Sequence, residues 1–406
     1  MTDRKNSWFL LVQLCLYFLA IGFSSEGGNS PVYAANSLIY LKVALLSLPV
    51  ICTLLAFIVR PYSCLQALKT LISLNRYLLM YFILCLMTIP FAVLWEYSLT
   101  RLFYTLASFL SLLALMAQYA MTPGTDIRKH LIFLTCFCLL FPCYTLFTNF
   151  NFGIPDFRNN LQSINLVHPN ILASFYAQLL IWNLSLNRRS SVGLGLSLLL
   201  AFFIFLLFSR SVFIALLITG VLISAYAFFS TRQKNVLAYI FTFALIATIA
   251  FVSILINPYT LHNLMTWLSR NGDVDSLYTL TNRTSLWSYL LENLDVKTAF
   301  FGFGYSVIDR NFGVDFGTGI LYGAHNAYLS ILLGSGVLAL LAILLYFFSV
   351  FQNYLKTYPL TLRYAGLSSL VLFILNCFLS EEIGVNFSIT FALVVLMHSC
   401  SQSLKQ

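Results

Sequence analysis

A few histidines and arginines at the edges of long apolar runs are the side chains in this 406-residue chain best suited to chemistry. His325 stands where a polar stretch gives way to an apolar run, and Asn326 follows it at once. Histidine takes or gives a proton near neutrality, and from a helix end its ring can be held in one place. The plainer alternative is an interfacial histidine hydrogen-bonded to loop backbone. His168, in VHPN at the start of another apolar run, could share a cavity with it. Arg210 sits between two apolar runs in FSRSVFIALLITG, where its guanidinium fork could anchor a phosphate or simply snorkel to lipid headgroups. Arg283 begins the amphipathic stretch NRTSLWSYLLENL, which reads as a short helix capped by Thr281 or Asn282. A lone cation is disfavoured at a helix N-terminus, whereas an anion bound there gains both the free N–H groups and the arginine. A solvated surface arginine is the competing explanation. His262 lies just past an apolar run, and His130 and His398 are weaker candidates still.

Other chemistries find little support. FGFG (301–304) permits a tight turn or a close backbone approach. It lacks the strand and helix that a dinucleotide fingerprint needs. No phosphate-loop lysine, histidine pair at helical metal spacing or G-x-S-x-G nucleophile is present. Asp273 and Asp275 have no partners at a recognisable metal spacing, and none of the nine cysteines falls in the long polar stretch. Cys136 and Cys138 lie in apolar surroundings and read as small buried hydrophobes. No metal and no cofactor is expected.

The elements that must position these residues are membrane spans. Hydrophobic side chains make up 60% of the chain and charged ones 9%, against roughly 25% charged in soluble proteins. The net charge of +9 comes without a basic face interleaved with aromatics, so nucleic acid is not an expected partner. A crossing needs about 20 apolar residues. Runs near 8–23, 37–59, 77–95, 102–120, 131–148, 169–187, 191–208, 211–229, 235–256, 325–350, 362–379 and 384–399 suggest an all-α polytopic protein of about 12 transmembrane helices. Alternating those twelve from a cytoplasmic N-terminus puts 14 of 22 basic residues on the cytoplasmic side, with only Asp3 and Asp126 among the acids. Both termini are then cytoplasmic, and the long polar stretch 257–324 is an extracytoplasmic loop with short helices. Pro49, Pro90 and Pro142 are expected to kink or end helices. The organisation expected is N-terminal helices over 1–165, central helices with HPN and SR over 166–256, the large loop over 257–324 and C-terminal helices over 325–406.

Taken in order, HPN (168–170), SR (209–210), NRTSLW (282–287), FGFG (301–304) and AHNAYLSILLGSG (324–336) resemble the C-terminal region shared by bacterial O-antigen ligases and polymerases. The resemblance covers about half the chain, and the N-terminal spans are similar only in architecture. Two departures are NRT, where many members have glycine before the arginine, and Ala339, where a further glycine is common. The charged residues are intact. The resemblance implies a metal-independent glycosyltransferase of the bacterial inner membrane, with its large loop in the periplasm. It would use a glycan carried on undecaprenyl pyrophosphate. By family position Arg210 and Arg283 would hold the pyrophosphate and His325 would be catalytic. His168, Asn326 and Arg158 are possible supporting residues; Arg158, Arg101, Glu381 and Glu382 are second-tier candidates for sugar contacts, each with a solvated side chain as the plainer and favoured reading. NRTSLW and AHNAYL lean towards the polymerase branch, which joins lipid-linked repeat units and works beside a flippase and a chain-length regulator. The alternative is the ligase branch, which delivers the glycan to lipid A–core. A transporter or flippase is less favoured, because paired broken helices at mid-membrane should accompany alternating access.

Overall fold

In the computed structural model the described residues are 2–22, 37–122, 125–148, 169–187, 190–207, 209–230, 283–292, 294–307, 324–357, 359–380, 383 and 387–400. All regular elements among them are helical. They are α1 (Thr2–Gly22), α2 (Ser37–Val59), α3 (Pro61–Leu74), α4 (Arg76–Thr88), a 3-10 turn (Ile89–Phe91), α5 (Trp95–Met121) and α6 (Ile127–Thr148). There follow α7 (Pro169–Leu186), α8 (Ser191–Leu206), α9 (Arg210–Ser230), α10 (Arg283–Glu292), α11 (Val296–Phe301), α12 (Ala327–Thr357), α13 (Leu360–Leu379) and α14 (Ile389–Cys400). The chain divides into two compact units, one formed by Met1–Val212 with Asp295–Gln406, the other by Phe213–Leu294.

The expectation of twelve membrane helices is corrected. Among the described residues five helices are long and apolar enough to cross a membrane: Tyr40–Val59, Trp95–Met121, Ile127–Tyr144, Ala327–Lys356 and Leu360–Phe378. A sixth crossing is possible if Pro61–Leu74 and Arg76–Phe91, bent by 76° to each other, count as one span. The protein is therefore an all-α, multi-pass membrane protein with about five to six apolar spans. An apolar run does not guarantee a helix of crossing length, which at 1.5 Å per residue takes about 20 residues. The apolar helices Ser7–Ile21, Ser191–Leu206, Ser211–Tyr226 and Ile389–Cys400 are each only 10–17 residues long. The run 77–95 is one arm of the bent pair, α7 carries buried Ser174, Gln178 and Asn183, and 235–256 lies outside the described residues. Charge sorting by twelve alternating crossings loses its basis with that count.

In the first unit α14 is the axis, buried at every position. A helix apolar on all sides is one that other helices surround, and α1, α5, α7 and α13 pack on it. α2 shows the opposite pattern, with Ile51, Leu54, Leu55 and Ile58 exposed, as a lipid-facing surface requires. Several polar side chains inside the unit pair with one another, since hydrocarbon offers none of their hydrogen bonds. Gln178 on α7 donates through Nε2 to the Ser369 carbonyl on α13 (2.8 Å) and accepts from the Ser369 hydroxyl, which also accepts from Trp182 Nε1 (3.2 Å). Two turns away Asn376 donates to Ser174 Oγ (2.9 Å). Pro49 and Pro142 lie inside α2 and α6, and Pro90 lies in the 3-10 turn. In the second unit α10 falls within the stretch that the sequence marks as amphipathic, with Leu290 buried beside exposed Leu291 and Glu292.

Candidate active site

α12 begins because Asn326 caps it. The Asn326 side-chain oxygen accepts the backbone N–H groups of Tyr328 (3.0 Å) and Leu329 (3.1 Å), two of the donors that a helix start leaves without partners. His325, immediately before the cap, takes a left-handed backbone conformation (φ 48°). It is half-buried between fully buried Ala324 and buried Asn326. Within the first turn of the helix Tyr328 donates its hydroxyl to the Ile374 carbonyl of α13 (3.0 Å), and its ring lies 4.7 Å from that of Phe378. His325 thus stands at a helix entrance tied to its neighbour, as its place before Asn326 suggests.

The helix that carries this entrance is not continuous. At Gly336 the backbone leaves helical geometry (φ 81°, ψ 174°), which separates residues 327–335 from the rest of α12. The FGFG segment is seated against the break. Phe303 and Gly304 donate their N–H groups to the carbonyls of Leu333 (2.6 Å) and Gly334 (3.0 Å). Behind it the Phe303 carbonyl accepts Val93 N–H (2.8 Å), and the Phe301 ring stacks on Phe91 of the 3-10 turn at 4.3 Å. Tyr305 donates its hydroxyl to Thr105 of α5 (3.0 Å). Arg101 donates through Nε to Tyr97 (3.0 Å). The Ser98 and Ser306 hydroxyls are buried without a hydrogen-bond partner among the described residues. Sequence reasoning saw in FGFG a close backbone approach but not its target. The signal for that target was Gly-Ser-Gly at 334–336, inside a run taken as one unbroken span.

α11 leads into FGFG and is started by Asp295, whose Oδ1 accepts Thr298 N–H at 2.7 Å. Hydrogen bonds from Thr298, through its side chain and its backbone, hold the Asp295 carboxyl below the usual range, and nearby Lys297 adds to the effect.

The structure brings only His325 and Asn326 of the predicted site residues together in full detail. Arg210 is the first residue of α9 and Arg283 the first residue of α10, with both side chains outside the described set. All three candidates for chemistry therefore stand at or just before a helix N-terminus. His168, Arg158, His262, Glu381 and Glu382 lie outside the described residues, as do Thr281 and Asn282, the expected caps of α10. His130 is buried, with ring nitrogens on Ser7 (3.0 Å) and Tyr119 (2.6 Å), and His398 is buried in α14. Among the described residues no three His, Cys, Asp or Glu side chains come together as a metal site would require.

Compared with known proteins, residues 195–344 match the family model described as O-Antigen ligase. The matched stretch contains Arg210, Arg283, FGFG and His325. Neither the curated proteins nor the solved structures include a match to this chain.

Proposed function

We propose, from the match of residues 195–344 to the family model described as O-Antigen ligase, that this chain transfers a glycan from undecaprenyl pyrophosphate to lipid A–core at the periplasmic face of the bacterial inner membrane. The observation that carries this reading is the family match itself, which spans all three candidate residues in a multi-pass membrane protein. It also moves the balance away from the polymerase branch, to which NRTSLW and AHNAYL lean, because the matched family is described as a ligase.

The chemistry asks for two things. Anomeric C1 of the donor is bonded to a diphosphate, which leaves readily once its charge is stabilised. An acceptor hydroxyl must lie in line behind C1 and lose its proton as the new bond forms. In this reading Arg210 and Arg283 supply guanidinium forks to the diphosphate oxygens, and the N-termini of α9 and α10 add favourable partial charge. Such groups act more strongly away from bulk water. His325 accepts the acceptor's proton, the C1–O bond to diphosphate breaks, and the diphosphate departs on its polyprenyl carrier. Asn326 holds the helix entrance on which His325 is mounted. His168 and Arg158 are supporting residues, Arg158 for the sugars. No metal takes part in this scheme.

Transport of a lipid-linked glycan would require open breaks in the spans, and among the described residues two breaks exist. Both are closed by protein. At Gly336 the freed carbonyls meet FGFG. At the bend after α3, buried Asn75 donates its side chain to the Leu71 carbonyl (3.0 Å) and accepts from Tyr346 of α12 (3.4 Å). Transfer is therefore preferred. The test is reconstitution of the purified protein with lipid-linked glycan, with and without lipid A–core. Glycan on lipid A–core is expected. A product ladder formed without lipid A–core would point to polymerisation, and intact donor in every mixture would end the proposal.

A further inference from the structure

We infer that Gly302 and Gly336 are positioning residues, interlocked so that the FGFG loop holds the half-helix 327–335, and with it His325, in one place. This deepens the reading of His325 as the base and rests on it.

The two glycines meet across a backbone-to-backbone contact. Gly302 (φ 72°) lies on the peptide between Gly334 and Ser335, and a Cβ there would overlap that backbone. Gly336 (φ 81°) lies on the Phe300 carbonyl, and a Cβ there would overlap its oxygen. Neither conformation suits an L side chain, so each position is closed to other residues twice over. The contact is cemented by the two hydrogen bonds from Phe303 and Gly304 to the carbonyls of Leu333 and Gly334. Backbone groups freed by a helix break inside a membrane protein must find such partners.

The loop can act as a clamp because it is fixed from behind. Val93, Phe91 and Thr105 hold Phe303, Phe301 and Tyr305 to the corner between α4 and α5. The half-helix is thus secured at its far end by FGFG, and at its start by Asn326 and by Tyr328 on Ile374. A helix is a stiff lever, so a tilt at the Gly336 end displaces the His325 end. A misplacement of about 1 Å can cost on the order of 10²-fold in rate even from a residue remote from the chemistry.

The test uses the purified full chain with Gly302→Ala and Gly336→Ala. Gly195→Ala serves as the control, because a Cβ there meets nothing within 4 Å. Three readouts are needed: the rate at which diethyl pyrocarbonate modifies His325, kcat and KM for lipid-linked glycan, and hydrogen exchange of the wild-type chain. In folded variants kcat should fall about 10- to 100-fold with KM for the donor little changed. His325 should be modified faster, and the control should match wild type. Wild-type kcat and His325 reactivity in folded clamp variants would overturn the inference. Should the variants not fold, hydrogen exchange in the wild type decides. Segments 300–307 and 327–335 should open together, and protection of 327–335 while 300–307 exchanges freely would overturn the clamp. Absence of any product with wild-type protein would count against the transfer reading, and the clamp would then stand or fall on modification rate and exchange.

Discussion

His325 occupies a backbone conformation that most L-residues avoid, at a cost on the order of 1–2 kcal/mol. Asparagine tolerates that conformation better than most residues but offers no base. His325→Asn should therefore unfold at the wild-type temperature or slightly above, measured by thermal denaturation in detergent, while transfer is lost. Restored activity in that variant would separate the histidine from proton transfer. For Arg210 and Arg283 the expected loss is in donor use. A charged hydrogen bond is worth about 1.5–3 kcal/mol. Arg210→Gln or Arg283→Gln should accordingly raise the KM for lipid-linked glycan about 10- to 100-fold. Lysine at either position should rescue only in part, because it lacks the planar fork.

At the level of elements, α11 depends on one carboxylate. The lowered pKa of Asp295 means that its cap is fully present above the ordinary carboxylate pKa and is lost as pH falls through the lowered value. Protection of amides 296–301, taken relative to the intrinsic exchange rate at each pH, should fall in acid, and Asp295→Ala should show the lower protection at every pH. The seam between α7 and α13 depends on Ser369. Ser369→Ala leaves Gln178 Oε1 and Trp182 Nε1 without this hydroxyl and should cost roughly 1–2 kcal/mol in unfolding measurements. Several elements were legible in the sequence for physical reasons. The leucine spacing in NRTSLWSYLLENL marks α10, and Asn326 beside a resuming apolar run marks the entrance to α12. Other features were hidden. In 61–74 an apolar stripe is interrupted by Gln66, Lys69 and Thr70, so α3 reads as a polar connection although Pro61 suits a first helical turn. The break in α12 was hidden because hydropathy does not register φ, and Gly336 sits among leucines. Only its contact with FGFG, distant in sequence, shows why the helix stops there.

Across the whole molecule, hydropathy found the class and overcounted the crossings. Apolar composition is shared by helices that face lipid and by helices such as α14 that are enclosed by others, so a run of leucines does not tell the two apart. Burial does. Leu54 on α2 is 60% exposed and Leu112 on α5 is 0% exposed. Leu112→Ala should cost about 2–5 kcal/mol, whereas Leu54→Ala leaves no cavity and should cost far less, as detergent unfolding curves can show. Arg210, Arg283 and His325 were singled out for their abrupt placement at run ends, and the residues matched by the family model include all three. The most direct measurement is the single-turnover rate of glycan transfer in proteoliposomes preloaded with lipid-linked donor, wild type against His325→Ala. The variant should bind donor as the wild type does and transfer it about 10²- to 10⁴-fold more slowly. Transfer by His325→Ala at the wild-type rate would contradict the assignment of this histidine as the base.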